Sequence, residues 1–388
     1  MKIFDLTHDL KLSLAPNKHH IRFNPSILHL YNNKYLLSYR LYVSNSNINF
    51  KKLNIKTAPL QWNERWQSLM ETTVVAEIQY VNDKWIITKE RIIIPNNKND
   101  KTNTVVDSRL FKKNPNDIYL SFNTWTLNPD TIIHPSKKSC IGTSLCTYIS
   151  KAKLKNFFIL NKFKYPCLNL KKTLPINNRC FPGQREEKNW VFWFYNNTEY
   201  ITYFVEPHIV FRKSTGDSSC TEYASSNSNT IQKLKLIYPS LKFLLGTPPI
   251  SFNNNEFIAV GHIKYNYKKD TILNKTKFLK NKVLHFNKSC WSNPSNLIYM
   301  MYFYTFSKKF PFNITKISHA FIPNDSFYLL AFPMGITKMH NSNDFVISYG
   351  EGDCHVKLLH MSPSEINSIL IDVKSFDPKN YNFDYLKK

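Results

Sequence analysis

The chain has 388 residues, with 52 lysines and arginines against 27 aspartates and glutamates, giving a formal charge of +25. At 42% hydrophobic and 15% aromatic it can bury a large core, which excludes a disordered polymer. The basic residues fall in short scattered pairs (Lys51-Lys52, Lys112-Lys113, Lys171-Lys172, Lys268-Lys269, Lys308-Lys309) beside turn residues. No arginine-rich arm or nucleic-acid motif gathers them, so nucleic acid is not the expected partner.

In chain order, the first residues, Met1-Lys2-Ile3-Phe4-Asp5, read as a β-strand rather than an apolar leader, and a turn follows at Ala15-Pro16. Short β-rich runs then recur at 35–43, 73–80, 85–88, 118–125, 190–194, 200–205, 257–265, 297–306, 326–332 and 345–349, separated by Asn, Asp, Pro, Ser and Lys clusters. This spacing predicts a sandwich, barrel or propeller. The longest apolar run, 297–306, is far shorter than the roughly 20 residues a bilayer requires. At the far end, Ser362-Pro363-Ser364-Glu365 reads as a capping box with Pro at the first helical position, opening a short C-terminal helix and tail over about 362–388. The seven cysteines are odd in number and contain no C-x-x-C pair, so reduced thiols and no structural zinc are expected. The expectation is a cytoplasmic protein without a membrane span, its oligomeric state left open.

Within the β-rich runs one unit recurs, a polar or Pro-containing turn entering an apolar strand, with a further polar residue on the next strand. Asn24-Pro25-Ser26-Ile27 precedes Tyr39-Arg40, and Asp107-Ser108-Arg109-Leu110 precedes Phe122-Asn123. Glu187-Lys188-Asn189-Trp190 precedes Glu206-Pro207-His208, Gly246-Thr247-Pro248 precedes Gly261-His262, and Ser348-Tyr349-Gly350 precedes Gly352-Asp353-Cys354. Units of about 40 to 50 residues fit this length as the blades of a propeller. The prediction is an all-β, five-bladed β-propeller in a single domain over 1–388. In such a fold the innermost strands line the axis, so polar residues remote in sequence converge there. Asp107, Glu206 and Asp353 supply carboxylates, with Arg40, Arg109, His208 and His262 as their company. That mixture suits a glycan site, where many hydrogen-bonding groups meet a proton donor for the leaving oxygen.

The ordered set, from about residue 24 to 359, resembles the five-bladed propellers related to the mannoside phosphorylases and hydrolases of glycoside hydrolase family one hundred and thirty, with the related β-mannosyltransferase-like proteins. The resemblance implies an enzyme making or breaking a mannoside-type bond on an oligosaccharide or sugar-phosphate substrate. It implies no cofactor, with inorganic phosphate or a sugar phosphate as co-substrate. An Asp in a Glu-Asp-Pro-Arg motif would be the general acid, in some members acting through a sugar hydroxyl while phosphate attacks the anomeric carbon. The matching position is Asp107, in a segment that reads Val106-Asp107-Ser108-Arg109 and lacks the Glu and Pro. Arg109 would hold the acid or the sugar, and Lys188, His208 and His262 the phosphate or outer sugar. Asn24, Ser26, Arg40, Asn123, Glu206, Thr247, Tyr349 and Asp353 complete the expected binding set.

Each assignment has a structural rival. Asp107 can be a turn residue bonding its own backbone, the arginines can close strand ends, and the histidines can be satisfied core groups. Trp62, Trp66, Trp190 and Trp193 fit a core as well as a sugar-stacking platform. The rival functions are an inactive glycan-binding propeller and a basic interaction or nucleic-acid-binding scaffold. Retention of Asp107 with Arg109 favours the enzyme.

Overall fold

A computed structural model describes residues 1–12, 20–44, 69–92, 94–95, 106–126, 146–155, 159–164, 189–213, 220–226, 229–239, 241–266, 297–323 and 330–381. Over these the chain is mostly β, with two α-helices, Asn229–Ile237 and Pro363–Ile369. None of the described helices is long and apolar enough to cross a membrane.

Strand β1 (Lys2–Asp5) comes first, then the sheet β2 (His20–Tyr31), β3 (Lys34–Ser44), β4 (Leu69–Val81) and β5 (Lys84–Ile92). The next sheet joins the short β6 (Ile94–Pro95) to β7 (Val106–Asn114), β8 (Asp117–Thr126), β9 (Cys146–Lys155) and β10 (Ile159–Lys164). The third is β11 (Val191–Tyr195), β12 (Thr198–Phe204), β13 (His208–Lys213) and β14 (Cys220–Ser226). The fourth runs β15 (Lys242–Leu244) and β16 (Ile250–Ser251), both on β17 (Glu256–Asn266), then β18 (Leu297–Ser307), β19 (Ile314–Ser318) and β23 (Leu370–Asp372). The last is β20 (Ala331–Lys338), β21 (Phe345–Glu351), β22 (His355–Met361) and β1.

Alternating apolar residues on both faces of these strands bury each sheet against the next. Leu28, Leu36 and Val75 of the first sheet meet Leu110, Leu120 and Phe122 of the second. Phe111 carries the second into the third at Phe192 and Ile201. Val191, Trp193 and Val210 meet Ala259, Met300 and Tyr302 of the fourth. Ile258, Val260 and Phe303 meet Ile347 and Leu359 of the last. Val346 and Leu358 then close onto Ile27, Leu37 and Tyr39 of the first. The result is a propeller-like ring of sheets with an apolar layer between each neighbouring pair. Trp190 and Trp193 belong to these layers, at 8% and 2% exposure, rather than to a stacking platform; Trp62 and Trp66 lie outside the described residues.

The tight hairpins are built by residues that tolerate positive φ: Asn32, Asn82 with Asp83, and Asn196 with Asn197. The first strand behaves as its β-like sequence predicts: Ile3 pairs with Leu359 and Phe4 with Leu358, so β1 covers the outer edge of the last sheet. The C-terminal helix has the predicted box, the Glu365 amide donating to Ser362 Oγ (3.2 Å) and the Ser362 amide to Glu365 Oε2 (2.7 Å). The helix is built into the fold, because Ile366 and Ile369 are buried and the chain continues into β23, which pairs with β19. Cys354 is disulfide-bonded, against the expectation of reduced thiols throughout.

Candidate functional site

The Asn24-Pro25 and Asp107-Ser108 segments have the composition of turns that enter strands. They are themselves the innermost strands, bulged. Phe23 pairs with Arg40 and Ser26 with Ser38, so two residues oppose one; Val106 with Asn123 and Arg109 with Ser121 repeat the pattern. A bulge re-aims a side chain that would otherwise alternate into the core. Each opens with an Asx residue in left-handed backbone, Asn24 at φ 51° and Asp107 at φ 50°. Asn189, just ahead of β11, stands at 69°, and Asp353, between β21 and β22, at 54°. Such backbone costs about 1–3 kcal/mol per residue and persists where the surroundings over-determine it. Asn and Asp tolerate it best among residues with side chains.

These residues converge. Asp107 Oδ1 accepts from Asn24 Nδ2 (2.9 Å) and Arg40 Nη1 (3.1 Å), and the two partners of the ion pair are 16% and 19% exposed at Arg40 and Asp107 respectively. The Arg40 guanidinium also lies 4.9 Å from the Phe23 ring centroid. Gly350 makes room for Asn24: a Cβ there would sit 2.5 Å from Asn24 Oδ1. Arg109, 2% exposed, crosses three sheets. Its Nε donates to the Gly246 carbonyl (2.6 Å), Nη1 to the Asp107 carbonyl (3.3 Å) and Nη2 to Asn189 Oδ1 (3.1 Å). Burial lowers its pKa to about 10 while the Asp107 charge pulls it back up, so it remains a cation. Arg109 therefore pins the backbone of Asp107 with donors already committed, which leaves Arg40 as the partly exposed cation beside the carboxylate.

Around this pair stand three more groups. Burial raises Asp353 to about 6, with Arg40 lowering it and Asp107 raising it. The Tyr299 phenol is pushed to about 12, by burial first and then by Asp353 and Asp107. His262 packs against Phe332 (4.6 Å between centroids) and Tyr299 (5.4 Å). Burial and then the Arg109 charge lower it to about 3, opposed by a backbone contact with Leu245, so it is a neutral imidazole at ordinary pH rather than a phosphate-holding cation.

Other expected residues serve the scaffold. His208 is fully buried, with Nδ1 2.8 Å from the Phe312 carbonyl and its ring against Phe306; burial holds it near 4. Ser26 Oγ accepts from the Leu110 amide (2.9 Å), stitching β2 to β7, and Thr247 Oγ1 from the Val260 amide (2.9 Å), tying the segment between β15 and β16 to β17. Tyr349 is packed between the fourth and last sheets. Glu206, joined to Pro207 by a cis bond, sits in the β12–β13 turn, at the same end of its sheet as Asn189. Lys188 and the Asn123 side chain lie outside the described residues. Sequence reasoning missed Asn189 as a ligand of Arg109, although it stands in a recurring unit. It also missed Tyr299 and Phe332, which lie in apolar runs that carry no polar signal. Among the described residues no three His, Cys, Asp or Glu side chains stand close enough to share a metal ion.

No protein-family model matches the chain, and no curated protein sequence does. Solved structures do. The β-1,2-mannobiose phosphorylase from Listeria innocua aligns over 95% of this chain and 99% of its own at TM-score 0.53 and 11% identity. A family 117 glycoside hydrolase from Zobellia galactanivorans aligns over 94% and 89% at TM-score 0.39 and 11% identity. The first likeness is one of fold, over the whole length of both chains.

Proposed function

We propose that the chain is a five-bladed propeller enzyme that makes or breaks a mannoside-type glycosidic bond at the Asn24–Arg40–Asp107–Asp353 cluster. One observation carries the reading. The ion pair of a partly exposed Arg40 from the first sheet with Asp107 from the second acts electrostatically on a second carboxylate, Asp353, from the last. The fold shared with a mannobiose phosphorylase supports the substrate class.

In the forward reaction a carboxylic acid gives its proton to the glycosidic oxygen as the bond from that oxygen to the anomeric carbon breaks. An oxygen of phosphate, water or a second sugar forms the new bond to that carbon, and the spent carboxylate regains a proton from the incoming group or solvent. Arg40 is the group placed to hold an anionic co-substrate. Asp107 is the acid by its motif. Its ion pair with Arg40 and its bond from Asn24 both favour the carboxylate form, however, whereas Asp353 is raised to about 6. Two carboxylates whose surroundings differ in this way divide acid and base roles. A second assignment, with Asp353 holding the proton and Asp107 the charge, therefore stands beside the first.

The test is turnover of short mannosides and mannosyl phosphates by the purified protein, with and without inorganic phosphate. Phosphate-dependent release of a sugar phosphate marks a phosphorylase, and transfer to an acceptor marks a synthase. Binding of mannosides without any turnover would leave a lectin, and neither binding nor turnover would overturn the reading.

A further inference from the structure

A second polar crevice lies on the opposite face. In an antiparallel sheet the start of the inner strand and the second-to-third turn share one end, and the hairpin turns share the other. Asn24 and Asp353 thus mark one face, and the β2–β3, β4–β5 and β20–β21 turns the other. From Asn24 to Tyr31, β2 alone spans roughly 23 Å at about 3.3 Å per residue. Between those turns, where the first sheet meets the last, is a cavity of about 570 Å³ whose lining includes Tyr35, Tyr80, Asp83, Asn341, Asp344 and His360. This is the size range of small-ligand pockets.

Its chemistry is selective. The back wall is aromatic and fixed: Tyr35 is 1% exposed and its hydroxyl accepts from the His340 amide (3.1 Å). Tyr80 packs on Trp85 (5.0 Å between centroids) and on His360 (5.2 Å). Trp85 Nε1 donates to His360 Nε2 (3.2 Å), which places the imidazole proton on Nδ1, and burial keeps the ring neutral with a pKa near 4. The rim supplies side-chain amides, a hydroxyl and carboxylates from Asn33, Asn82, Asn341, Ser342, Asp83 and Asp344. Asp83 accepts from the Tyr80 hydroxyl (3.0 Å) and pairs with Lys2 (3.6 Å), so part of the rim's charge is already balanced. Among the described residues no arginine or lysine lines the cavity, although the chain carries 52 of them, and an anionic ligand would face two carboxylates. An aromatic wall for C–H surfaces, ringed by amides and carboxylates for adjacent hydroxyls, fits a neutral polyhydroxylated ring.

We infer that this crevice is a binding site for a neutral saccharide, separate from the Asp107 cluster and not requiring turnover there. Titration calorimetry of the full chain with mannotriose and with cellotriose, beside glucosamine and mannose 6-phosphate, tests it. At least one neutral trisaccharide is expected to bind. The paired rim substitution Asn341→Ala with Asp344→Ala, at surface turn positions, should weaken that binding by about tenfold or more, whereas Asp107→Asn should leave it intact. Trisaccharide binding that the rim variant does not change, tighter binding of glucosamine than of either trisaccharide, or no saccharide binding in the Asp107→Asn protein would each overturn it.

Discussion

At the scale of single residues, Asp107 and Asp353 share Arg40 yet stand in different surroundings. Asn24 and Arg40 both donate to Asp107 Oδ1, whereas burial dominates Asp353 and raises it to about 6. If Asp353 holds the proton, kcat/KM falls as pH rises through about 6, and Asp353→Asn abolishes that limb. Arg40 favours the charged form of Asp353, so Arg40→Met should move the limb to higher pH. A limb that stays in place in both variants would remove Asp353 from proton transfer. A pH–rate profile of the three proteins decides it. Asp107 was legible from its motif, and Asp353 from its Gly-flanked unit. Tyr299 was not, because a phenol in the run 297–306 looks like any other core aromatic until the fold turns it toward two carboxylates.

At the scale of elements, β3, β4, β8, β11, β12, β17, β18 and β21 were readable from their β-rich runs and the hairpins from their Asn and Asp residues. The inner strands β2 and β7 were not, because Asn-Pro and Asp-Ser at a bulge carry the chemistry of turns. The predicted run 326–332 overlaps β20 at Ala331 and Phe332, and its residues 326–329 lie outside the described residues. Helix Asn229–Ile237 carries no acidic residue in its first turn and was missed. Two strands also bury histidines: His208 opens β13 and His262 lies in β17, held near 4 and near 3 from a usual 6.5. Their folded pKa values are depressed, so the unfolded chain takes up protons that the folded chain refuses once pH falls below 6.5. Their stability contribution is complete above pH 6.5 and is lost as pH falls toward 4 and 3. Asp353 acts with the opposite sign between about pH 6 and its usual 3.8, where the folded state binds the extra proton. Denaturant unfolding should therefore show stability falling from pH 7 to pH 5, and falling more steeply in Asp353→Asn. A variant curve parallel to the wild type would mean that Asp353 is not raised in the fold.

At the scale of the whole molecule, the ring of sheets depends on a strand from the start of the chain completing the sheet at its end. β1 pairs along β22, and Leu6 and Leu10, 3% and 1% exposed, pack into the layer between the first and last sheets. Removing residues 1–10 exposes the β22 edge and deletes two buried leucines, each worth about 2–5 kcal/mol by large-to-small substitution. The melting temperature should fall by roughly 10 °C or more, and an unchanged melting curve would show that β1 does not hold the ring. Whether the ring performs glycosidic chemistry through Asp107 is decided by the rates of Asp107→Asn on two substrates. One is a natural mannoside and the other an activated aryl mannoside or mannosyl fluoride, whose leaving group needs no proton. Loss of general acid catalysis costs about 10²- to 10⁴-fold, so the account predicts that loss on the natural mannoside and a much smaller one on the activated substrate. Equal losses on both, or no loss on either, would contradict it.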